Sequence, residues 1–515
     1  MTATTAENTP APPLPGGSHP QRWLILGVIC LAQLTVLLDN TVLNVAIPSL
    51  TTELQASSTD IQWMINAYSL VQSGLLLTAG SSADRYGRKK MLSAGLVLFG
   101  LGSLAAGLAQ TSAQLIAARA GMGIGGALLM TTTLAVIVQV FAEHERVRAI
   151  ALWSTVSSLG VAAGPLLGGL VLDHFWWGAI FLINIPVAVL ALVAVLALVP
   201  ESKSGAGERP DLVGALLSTV GMTSVVYAII SGPEHGWTSG QVLVAAGGGA
   251  VVLAAFVLWE LRSEHPMLDM HFFRNERFVG AVAGSILVAF GMGGSLYLLT
   301  QHLQFVLGYA PLEAGLRIAP LAVSVVVLNV VGVGALLLRR FGTPRTIALG
   351  MTLIAAGLAG IALLGGRSYE GMLAGLVVMG AGIAFAGPAM ANAIMSAIPP
   401  AKAGVGAGVN GTLAEFGNGL GVAVLGAVLN SRFAALFPAA AGAVSLPVAL
   451  ASANGEVERQ QVRNAFASGL QTSQLVGAAA VLTGGLLAAL LLRRAERKTP
   501  AAPPQAGPSV PVPSE

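Results

Sequence analysis

Residues 23–47 read WLILGVICLAQLTVLLDNTVLNVAI, an apolar run with one charged residue, Asp39. At a rise of about 1.5 Å per residue, a helix of this length crosses a hydrocarbon core of about 30 Å. A carboxylate at such a depth costs roughly 2.5–3.5 kcal/mol on insertion scales. The run therefore predicts a membrane-spanning helix in which Asp39 is either neutralised by a partner or retained for a purpose.

The composition of the whole chain is that of an integral membrane protein. Of its 515 residues, 55% are hydrophobic and 10% are charged, and the mean hydropathy is +0.77. Soluble domains carry about 25% charged residues. The formal net charge of +3 is too small to indicate a nucleic-acid partner, and the single cysteine, Cys30, excludes an intrachain disulfide. Residues 1–22 lack the basic start of a signal peptide, so the first span is expected to stay in the protein.

Fourteen apolar segments are long enough to cross a bilayer, which predicts an all-α multi-pass membrane protein with both termini on one side. They lie near 23–47, 61–80, 91–109, 113–138, 147–172, 177–199, 210–230, 240–258, 278–299, 311–338, 345–365, 371–395, 403–430 and 472–492. With cytoplasmic termini, 20 of the 26 Lys and Arg residues lie on the cytoplasmic side, five lie outside, and Arg119 lies within a span. Because cytoplasmic loops are enriched in Lys and Arg, we predict cytoplasmic termini and location in the cell membrane.

The predicted organisation is two six-helix lobes with two inserted helices between them. ADRYGRKKM (83–91) after span 2 has a weak echo in LRRFGTPRT (338–346) after span 10, as expected for two lobes related by a repeat. The predicted units are a disordered tail (1–22), a first lobe (23–199), a cytoplasmic linker with two inserted helices (200–259), a second lobe (260–492) with a long outer loop (431–471), and a second disordered tail (493–515).

Three ionisable residues lie well inside predicted spans: Asp39, Arg119 and Glu415. Counted from the outer ends of their spans, Asp39 and Arg119 lie within about 3 Å of each other in depth, so they can neutralise each other. We interpret Asp39 as a proton-binding site tuned by Arg119; the alternative is a purely structural ion pair. Glu415 has no cation at an evident matching depth, so we expect it to bind a proton; the alternative is a protonated residue that only hydrogen-bonds a neighbouring helix.

Other polar side chains in the spans predict a central substrate cavity. Gln33, Asn40 and Asn44 are separated by 7 and 4 residues, which places them on one face of span 1. The remaining candidates are Tyr68, Gln72, Asn184, Tyr297, Gln301, Gln304, Asn392 and Asn410. Any single one of them is more typical of a hydrogen bond between helices than of a ligand contact.

No motif in the sequence indicates an enzyme or a metal site. GMGIGG (121–126) matches G-x-G-x-x-G, but it lies within a span and follows no strand, so dinucleotide binding is not expected. The sequence has no Walker lysine motif, no H-E-x-x-H motif and no Cys/His cluster. An ATP-driven pump and a metal-dependent hydrolase are therefore excluded.

Four stretches resemble the major facilitator superfamily. GSSADRYGRKKML (80–92) resembles its loop between spans 2 and 3, and LIAARAGMGIGGA (115–127) resembles its span-4 arginine motif. GVAAGPLLGG (160–169) is similar to the span-5 motif associated with antiporters, and LDNTVLNVAIP (38–48) to the span-1 motif of the fourteen-span drug:proton antiporters of the EmrB/QacA type. Three further segments resemble that branch: FLINIP (181–186), QFVLGYAPLEAGL (304–316) and NGTLAEFGNGLGVAVLG (410–426).

The resemblance implies a conformational latch in the loop between spans 2 and 3. We expect Asp84 to cap span 3 and to pair with a basic residue such as Arg148, which would hold the cytoplasmic side closed. The latch residues are Gly80, Asp84, Arg85, Gly87, Arg88, Lys89 and Arg148. The alternative is a loop whose basic residues only mark the cytoplasmic side. Ser82 stands where the family usually has leucine, which would loosen a helix contact.

The resemblance also implies a role for the glycines of span 5. Its glycines remove side chains and its proline kinks the helix, which would let spans pack tightly between the lobes and limit leak across the membrane. The motif residues are Gly160, Gly164, Pro165, Gly168 and Gly169. The alternative is generic glycine packing, which any membrane helix shows. Ala414 stands where the family often has arginine, which leaves Glu415 without that neighbour.

These features predict a proton-coupled antiporter that exports lipophilic, often cationic, drugs by alternating access of its two lobes. Protonation of Asp39 or Glu415 from outside would displace the substrate. The expected partners are a small-molecule substrate, protons and the lipid bilayer; we expect a monomer, with no cofactor and with the proton gradient as energy source. The nearer alternative is an exporter of one endogenous metabolite or self-made antibiotic in the same fold. A sensor and a channel fit the loop and span-5 motifs less well, and a membrane enzyme would need a catalytic cluster, which the sequence does not show.

Overall fold

In a computed structural model, the described residues are 20–202, 210–365, 369–398, 403–437, 446–453 and 455–498, and helices dominate them. The helices are α1 (Arg22–Glu53), α2 (Ser58–Tyr86), α3 (Arg88–Gly107), α4 (Ser112–Val140), α5 (Glu143–His174), α6 (Ala179–Leu182), α7 (Asn184–Leu198), α8 (Leu212–His235), α9 (Gly240–Arg262), α10 (Glu276–Gln301), α11 (Pro311–Val331), α12 (Val333–Phe341), α13 (Thr343–Leu364), α14 (Tyr369–Ala397), α15 (Ala403–Leu436), α16 (Leu446–Ser452) and α17 (Glu456–Lys498). A 3-10 turn (Met270–Arg274) precedes α10, and a π-helical turn (His302–Val306) follows it.

Within the described part of the chain, twelve helical segments are long and apolar enough to cross a membrane. The remaining two predicted spans correspond to α2 and α5, which have 29 and 32 residues. The total of fourteen spans and the side on which the termini lie stay predictions. Large apolar side chains such as Val244 and Val251 on α9 are exposed at the molecular surface, as expected for a surface in contact with lipid.

Two predicted segments in the C-terminal half contain structure that the hydropathy pattern did not resolve. Span 10, predicted as one segment over 311–338, is interrupted at Gly332, where φ is +78°. A left-handed residue ends a right-handed helix, so α11 stops there and α12 begins. The predicted outer loop over 431–471 is largely helical, because α15, α16 and α17 cover most of it. Residues 438–445 and 454 of that loop lie outside the described residues.

The predicted tails begin at different residues in the structure. α17 continues to Lys498, since its last turns carry Arg and Lys, which are favourable at a helix C-terminus. Arg22, predicted to end the first tail, already belongs to α1. Residues 1–19 and 499–515, like the linker residues 203–209, lie outside the described residues.

Helices α1–α7, here called the N-lobe, and α10–α17, here called the C-lobe, meet along two pairs of helices. α2 packs against α15, and α5 packs against α11. α8 and α9 pack against each other, and α8 also contacts α2 and α15 beside the junction of the lobes. An apolar cluster of Leu70, Val226, Ile230 and Ala423 joins α2, α8 and α15.

Close backbone approach holds α5 and α11 together. A Cβ atom on Gly169 would collide with the backbone of Leu312, and one on Gly315 would collide with the carbonyl of Pro165. Gln304, in the π-helical turn, donates a hydrogen bond to the Val45 carbonyl of α1 at 3.0 Å. These contacts join the lobes at the end of the bundle that holds the α1–α2 connection.

Candidate functional site

Asp39 on α1 and Arg119 on α4 form an ion pair inside the N-lobe. The Asp39 side chain is 2% exposed and that of Arg119 is 1% exposed. Removing one partner of such a buried pair costs about 3–5 kcal/mol, because the other charge is left uncompensated. The structure thus brings together the two residues that the sequence places at matching depth.

Neighbouring helices make further contacts with Arg119. Its Nε atom donates to the Met64 carbonyl of α2 at 3.0 Å. The guanidinium carbon lies 4.4 Å from the centre of the Tyr68 ring, and 6.0 Å from that of Phe181 on α6. A cation over an aromatic face gains about 0.5–2 kcal/mol when it is desolvated. Arg119 is therefore fixed on several sides, and its charge has a set position relative to both α1 and α2.

Asp39 is held by a second hydrogen bond from α7. The Asn184 amide donates to Asp39 Oδ1 at 3.4 Å and also lies 3.4 Å from the Ser103 hydroxyl of α3. Asn184 is the first residue of α7, so the break between α6 and α7 places its side chain in the interior. Asn184 thus acts as a partner of Asp39 rather than as an isolated cavity residue.

Glu415 on α15 brings a carboxyl group of the C-lobe to the same place. It is 7% exposed, and Asn40 of α1 donates a hydrogen bond to its Oε1 atom at 3.5 Å. The Ser69 hydroxyl faces it, and its Oε2 atom is buried without a hydrogen-bond partner. Arg119 is near enough to act on it electrostatically, although its ion pair is with Asp39. The sequence showed no cation at a matching depth for Glu415; in the structure Arg119 forms its ion pair with Asp39, and its charge also acts on Glu415.

Tyr68 lies beside Arg119, within electrostatic reach of both carboxyl groups. Its side chain is fully buried, and the charges of Asp39, Glu415 and Arg119 all act on it. Its hydroxyl group has no hydrogen-bond partner. We call Asp39, Arg119, Glu415, Tyr68 and Asn40 the polar cluster, a group to which both lobes contribute.

Several predicted cavity residues instead join helices. Gln33 accepts a hydrogen bond from Thr133 of α4 at 3.3 Å, and Gln72 donates to the sulfur of Met130 at 3.2 Å. Gln304 joins the lobes as described above. For these three residues the alternative interpretation, a hydrogen bond between helices, describes the structure.

The other predicted cavity residues are dispersed. Asn44 donates to the Asn40 carbonyl at 3.4 Å, and Gln301 donates to the Tyr297 carbonyl at 3.3 Å, so both bonds stay within one helix. Asn392 is exposed and Asn410 is half-buried. A cavity of about 480 Å³ lies between α8 and α15, and the predicted cavity residues do not line it. Its lining residues are Ile229, Trp237, Val424, Ala427, Val428, Ser431, Arg432 and Ala435.

The predicted latch forms a different set of contacts. Asp84 pairs with Arg88 at 2.8 Å instead of with Arg148, whose guanidinium lies over the Trp23 ring at 5.4 Å. Asp84 is still part of α2, and Gly87 is the N-cap of α3, so Asp84 does not cap that helix. The turn depends on Gly87, whose φ of +114° disfavours any side chain.

The basic residues of this loop tie it to the ends of neighbouring helices. Arg88 donates to the Ala135 carbonyl of α4 at 3.3 Å, and Lys89 donates to the Leu196 carbonyl of α7 at 2.8 Å. Arg85 lies beside the exposed Tyr86 ring, and a Cβ on Gly80 would meet no atom within 4 Å. These contacts lie within the N-lobe.

The span-5 motif divides its contacts between α1 and the C-lobe. Gly160, Gly164 and Gly168 lie against α1, where added Cβ atoms would meet Leu34, Thr41 and Val42. Only Gly169 and Pro165 contact α11. The expectation of packing between lobes thus describes these two residues, and the other three close the N-lobe on itself.

Two buried ionisable residues were not predicted from the sequence. Glu260 is 3% exposed and accepts a hydrogen bond from the Leu268 amide at 3.1 Å; His302 is 1% exposed, and neither ring nitrogen has a partner. Both lie just past spans drawn as 240–258 and 278–299, whereas α9 runs to Arg262 and α10 to Gln301. Extending each predicted span by a few residues into the polar stretch that follows it would have included both residues. Among the described residues, no group of three or more His, Cys, Asp or Glu could hold a metal ion.

Comparison with known proteins identifies relatives over most of the chain. Residues 29–422 match the Major Facilitator Superfamily. The chain is 37% identical to the multidrug resistance protein Stp of Mycobacterium tuberculosis (strain CDC 1551 / Oshkosh) over 395 residues, which are 76% of this chain and 73% of that protein. It is 32% identical to the tetracenomycin C resistance and export protein of Streptomyces glaucescens over 442 residues, 85% of this chain and 81% of that one.

A solved structure shows the same fold. It is the crystal structure of a bacterial homologue of the human lysosomal transporter Spinster in an inward-facing, unoccupied conformation. The TM-score is 0.65 at 17% sequence identity, and the match covers 94% of this chain and all of that one. At this identity the likeness concerns the fold alone.

Proposed function

The chain belongs to the Major Facilitator Superfamily, and we propose that it is a proton-coupled antiporter of the fourteen-span drug-exporting branch. It is a multi-pass integral membrane protein, and its family and solved neighbours are transporters of small molecules. The proposed substrates are lipophilic, mostly cationic, drugs or antibiotics. The proposed export across the cell membrane uses the proton gradient, needs no cofactor, involves no covalent catalysis and is carried out by a monomer.

The observation that carries the proposal is the position of the polar cluster between the lobes. Asn40 of the N-lobe reaches Glu415 of the C-lobe at 3.5 Å, and Arg119 acts on both carboxyl groups. Rocking of the lobes would part Asn40 from Glu415 and change the distance between Glu415 and Arg119. A carboxylate loses favourable partners when these groups move away, so the proton it binds and the arrangement of the lobes depend on each other.

A cationic substrate fits this coupling. A buried carboxylate attracts either a proton or an organic cation, and the two compete because each neutralises the same charge. Protons arriving from the acidic side would displace the cation, and loss of the proton on the other side would restore the site. Each pH unit contributes about 1.4 kcal/mol per proton, and each charge moved through 100 mV about 2.3 kcal/mol.

A dedicated exporter of one endogenous compound or self-made antibiotic is the second candidate. The observation that favours it is the likeness to a protein named for resistance to, and export of, one compound, tetracenomycin C. The same fold and the same proton coupling would then serve a narrower substrate range. The two candidates differ in breadth of substrate and not in mechanism.

The test is proton-driven transport by the purified protein in lipid vesicles. A pH gradient is imposed, a lipophilic cationic dye is added, and the wild type is compared with Asp39→Asn. We expect the wild type to move dye against its gradient and Asp39→Asn to sustain a clearly smaller gradient, because Glu415 is then the one carboxyl group of the pair left to bind a proton. Glu313→Gln is the matched control, because Glu313 pairs with Arg317 at the start of α11, away from the polar cluster.

Each outcome has a distinct meaning. Equal transport by the wild type and Asp39→Asn would make Asp39 a structural partner of Arg119. A folded wild type that moves no dye, but exports a single antibiotic in a panel, would replace the broad-drug candidate by the dedicated exporter. A wild type that transports without regard to the pH gradient would refute the proton coupling.

A further inference from the structure

A row of buried polar side chains follows one face of α2. Gln62, Asn66, Ser69 and Ser73 are separated by 4, 3 and 4 residues, the spacing of a single helix face. Gln62 and Asn66 are 0% exposed, and the two serines are 1% exposed. This face points at the other lobe, because α2 is the helix that packs along α15.

The facing side of α15 is built from glycine and Glu415. A Cβ atom on Gly419 would lie 2.6 Å from Asn66 Oδ1, and one on Gly426 would lie 2.8 Å from Gln62 Oε1. Glu415, Gly419 and Gly426 are separated by 4 and 7 residues, so they share one face of α15. The glycines thus leave room for the two amide side chains, and the row leads to the Glu415 carboxyl, which Ser69 faces.

Four polar atoms along this row are buried without a hydrogen-bond partner. They are Gln62 Nε2, Gln62 Oε1, Asn66 Oδ1 and Glu415 Oε2. A buried polar group without a hydrogen-bond partner destabilises the fold, and lipid offers no replacement partner. Helix packing alone would be served better by apolar side chains, so these groups point to a ligand that both donates and accepts hydrogen bonds. Water is the small ligand with that property.

We propose that Gln62, Asn66 and Ser69 hold a chain of water molecules that conducts protons between Glu415 and the end of the bundle that holds the α1–α2 connection. The amide groups do not carry the proton themselves; they donate to and accept from the water that does. Seven residues separate Gln62 from Ser69, a distance of about 10 Å along the helix. In the predicted orientation this end is the outer face, so the row supplies the proton that displaces the substrate.

The inference rests on the proposed function, and it adds the route by which Glu415 exchanges its proton. The groups that act on Glu415 are Asn40 from α1, Ser69 and Tyr68 from α2, and the charge of Arg119 from α4. Neither Asn40 nor Arg119 leads to the bundle end, whereas the row on α2 that contains Ser69 does. Ser73 lies on the other side of Ser69 along the row, and its hydroxyl is already satisfied by the Leu70 carbonyl at 3.0 Å.

The experiment compares two transport modes in vesicles that contain the full-length protein and the cationic dye. One is dye uptake driven by a pH gradient, and the other is exchange of dye across the membrane at equal pH, which requires no net proton movement. Gln62→Met and Asn66→Leu keep the side-chain shape and remove the polar atoms. Because each substitution removes a side chain that binds the proposed water chain, we expect gradient-driven uptake to slow about tenfold, with exchange unchanged.

Two further variants serve as controls. Ser73→Ala lies on the same face of α2 beyond Glu415 and should leave both modes unchanged. Asn66→Ser supplies a hydroxyl group and leaves room for water, so it should recover most of the gradient-driven rate that Asn66→Leu loses. Gln62→Met carries the test alone if Asn66→Leu does not fold, and the exchange mode itself reports folding.

Three results would overturn the proposal. If both modes fall together in Gln62→Met, the row is a structural contact between the lobes. If gradient-driven uptake is unchanged, the proton takes another route while the proposed function stands. If the wild type exchanges dye but ignores the pH gradient, proton coupling itself is refuted, and the route is refuted with it.

Discussion

Replacing Glu415 by glutamine should lower the substrate gradient that the protein sustains by about tenfold for each pH unit imposed. The polar cluster holds two buried acidic residues, Asp39 and Glu415, which as whole residues are 4% and 7% exposed. One pH unit contributes about 1.4 kcal/mol per proton, which supports about a tenfold substrate ratio for one proton and about a hundredfold ratio for two. An amide cannot bind the proton, so Glu415→Gln should leave only the Asp39 proton and about a tenfold ratio.

The substitution is mild for the fold. The amide oxygen of the new side chain would still accept the hydrogen bond that Asn40 donates at 3.5 Å to the wild-type Glu415 carboxyl group. The assay measures the dye ratio at steady state in vesicles with one pH unit across the membrane and the electrical potential clamped at zero. Glu260→Gln is the matched control, because Glu260 is also buried, at 3% exposed, but lies in α9, outside the cluster. The variant that combines Glu415→Gln with Asp39→Asn should sustain no gradient.

The reasoning fails if Glu415→Gln sustains the same ratio as the wild type. Glu415 would then be a protonated side chain that hydrogen-bonds α1, and the whole coupling would belong to Asp39. An equal fall of the steady-state dye ratio in Glu260→Gln would also contradict the role of Glu415. The effect would then follow from replacing any buried carboxyl group.

Two further predictions concern the buried ion pair and the packing of α5 on α11. Asp39→Asn alone should lower the free energy of unfolding of the detergent-solubilised protein by about 3–5 kcal/mol, because it leaves Arg119 buried and unpaired. Adding Arg119→Gln should recover part of that loss, since no unpaired buried charge then remains. Denaturant unfolding measures both variants, and additive losses would show that the two residues are not coupled. Gly169→Ala would place a Cβ against the Leu312 backbone and should slow transport at a packing cost of about 1–3 kcal/mol. Gly121→Ala is the control: its Cβ would meet no atom within 4 Å, so this variant should transport like the wild type. Equal effects of Gly169→Ala and Gly121→Ala on transport would contradict the role of the α5–α11 contact.

Much of the candidate site was predictable because depth in a membrane follows from position along a helix. The rise per residue alone placed Asp39 and Arg119 at one level, and the structure pairs them. The same counting left Glu415 without a partner, since depth does not tell how far apart two helices lie. Asn40 was assigned to a substrate cavity, and its contact with Glu415 depends on the junction of the lobes.

Local errors in the prediction have local physical causes. Asp84 pairs with Arg88, four residues away, because α2 continues through Asp84 and the turn comes only at Gly87. The break at Gly332 was missed because a hydropathy pattern does not register a left-handed residue. Glu260 and His302 were missed because the apolar pattern ends before the helix or its π-helical extension does.

The sequence by itself determined that this protein crosses the membrane many times, which residues lipid should have excluded, and which superfamily it belongs to. The first two properties depend on the free energy of transferring each side chain into lipid, which adds along the chain, whereas the superfamily follows from short motifs of adjacent residues. Only the tertiary structure decided which polar side chains meet. A spanning helix is apolar around most of its circumference, so its pattern leaves its rotation and its neighbours weakly fixed. Packing of α2 along α15 and of α1 along α4 made those choices, and they created the polar cluster and the row of polar side chains that leads to it.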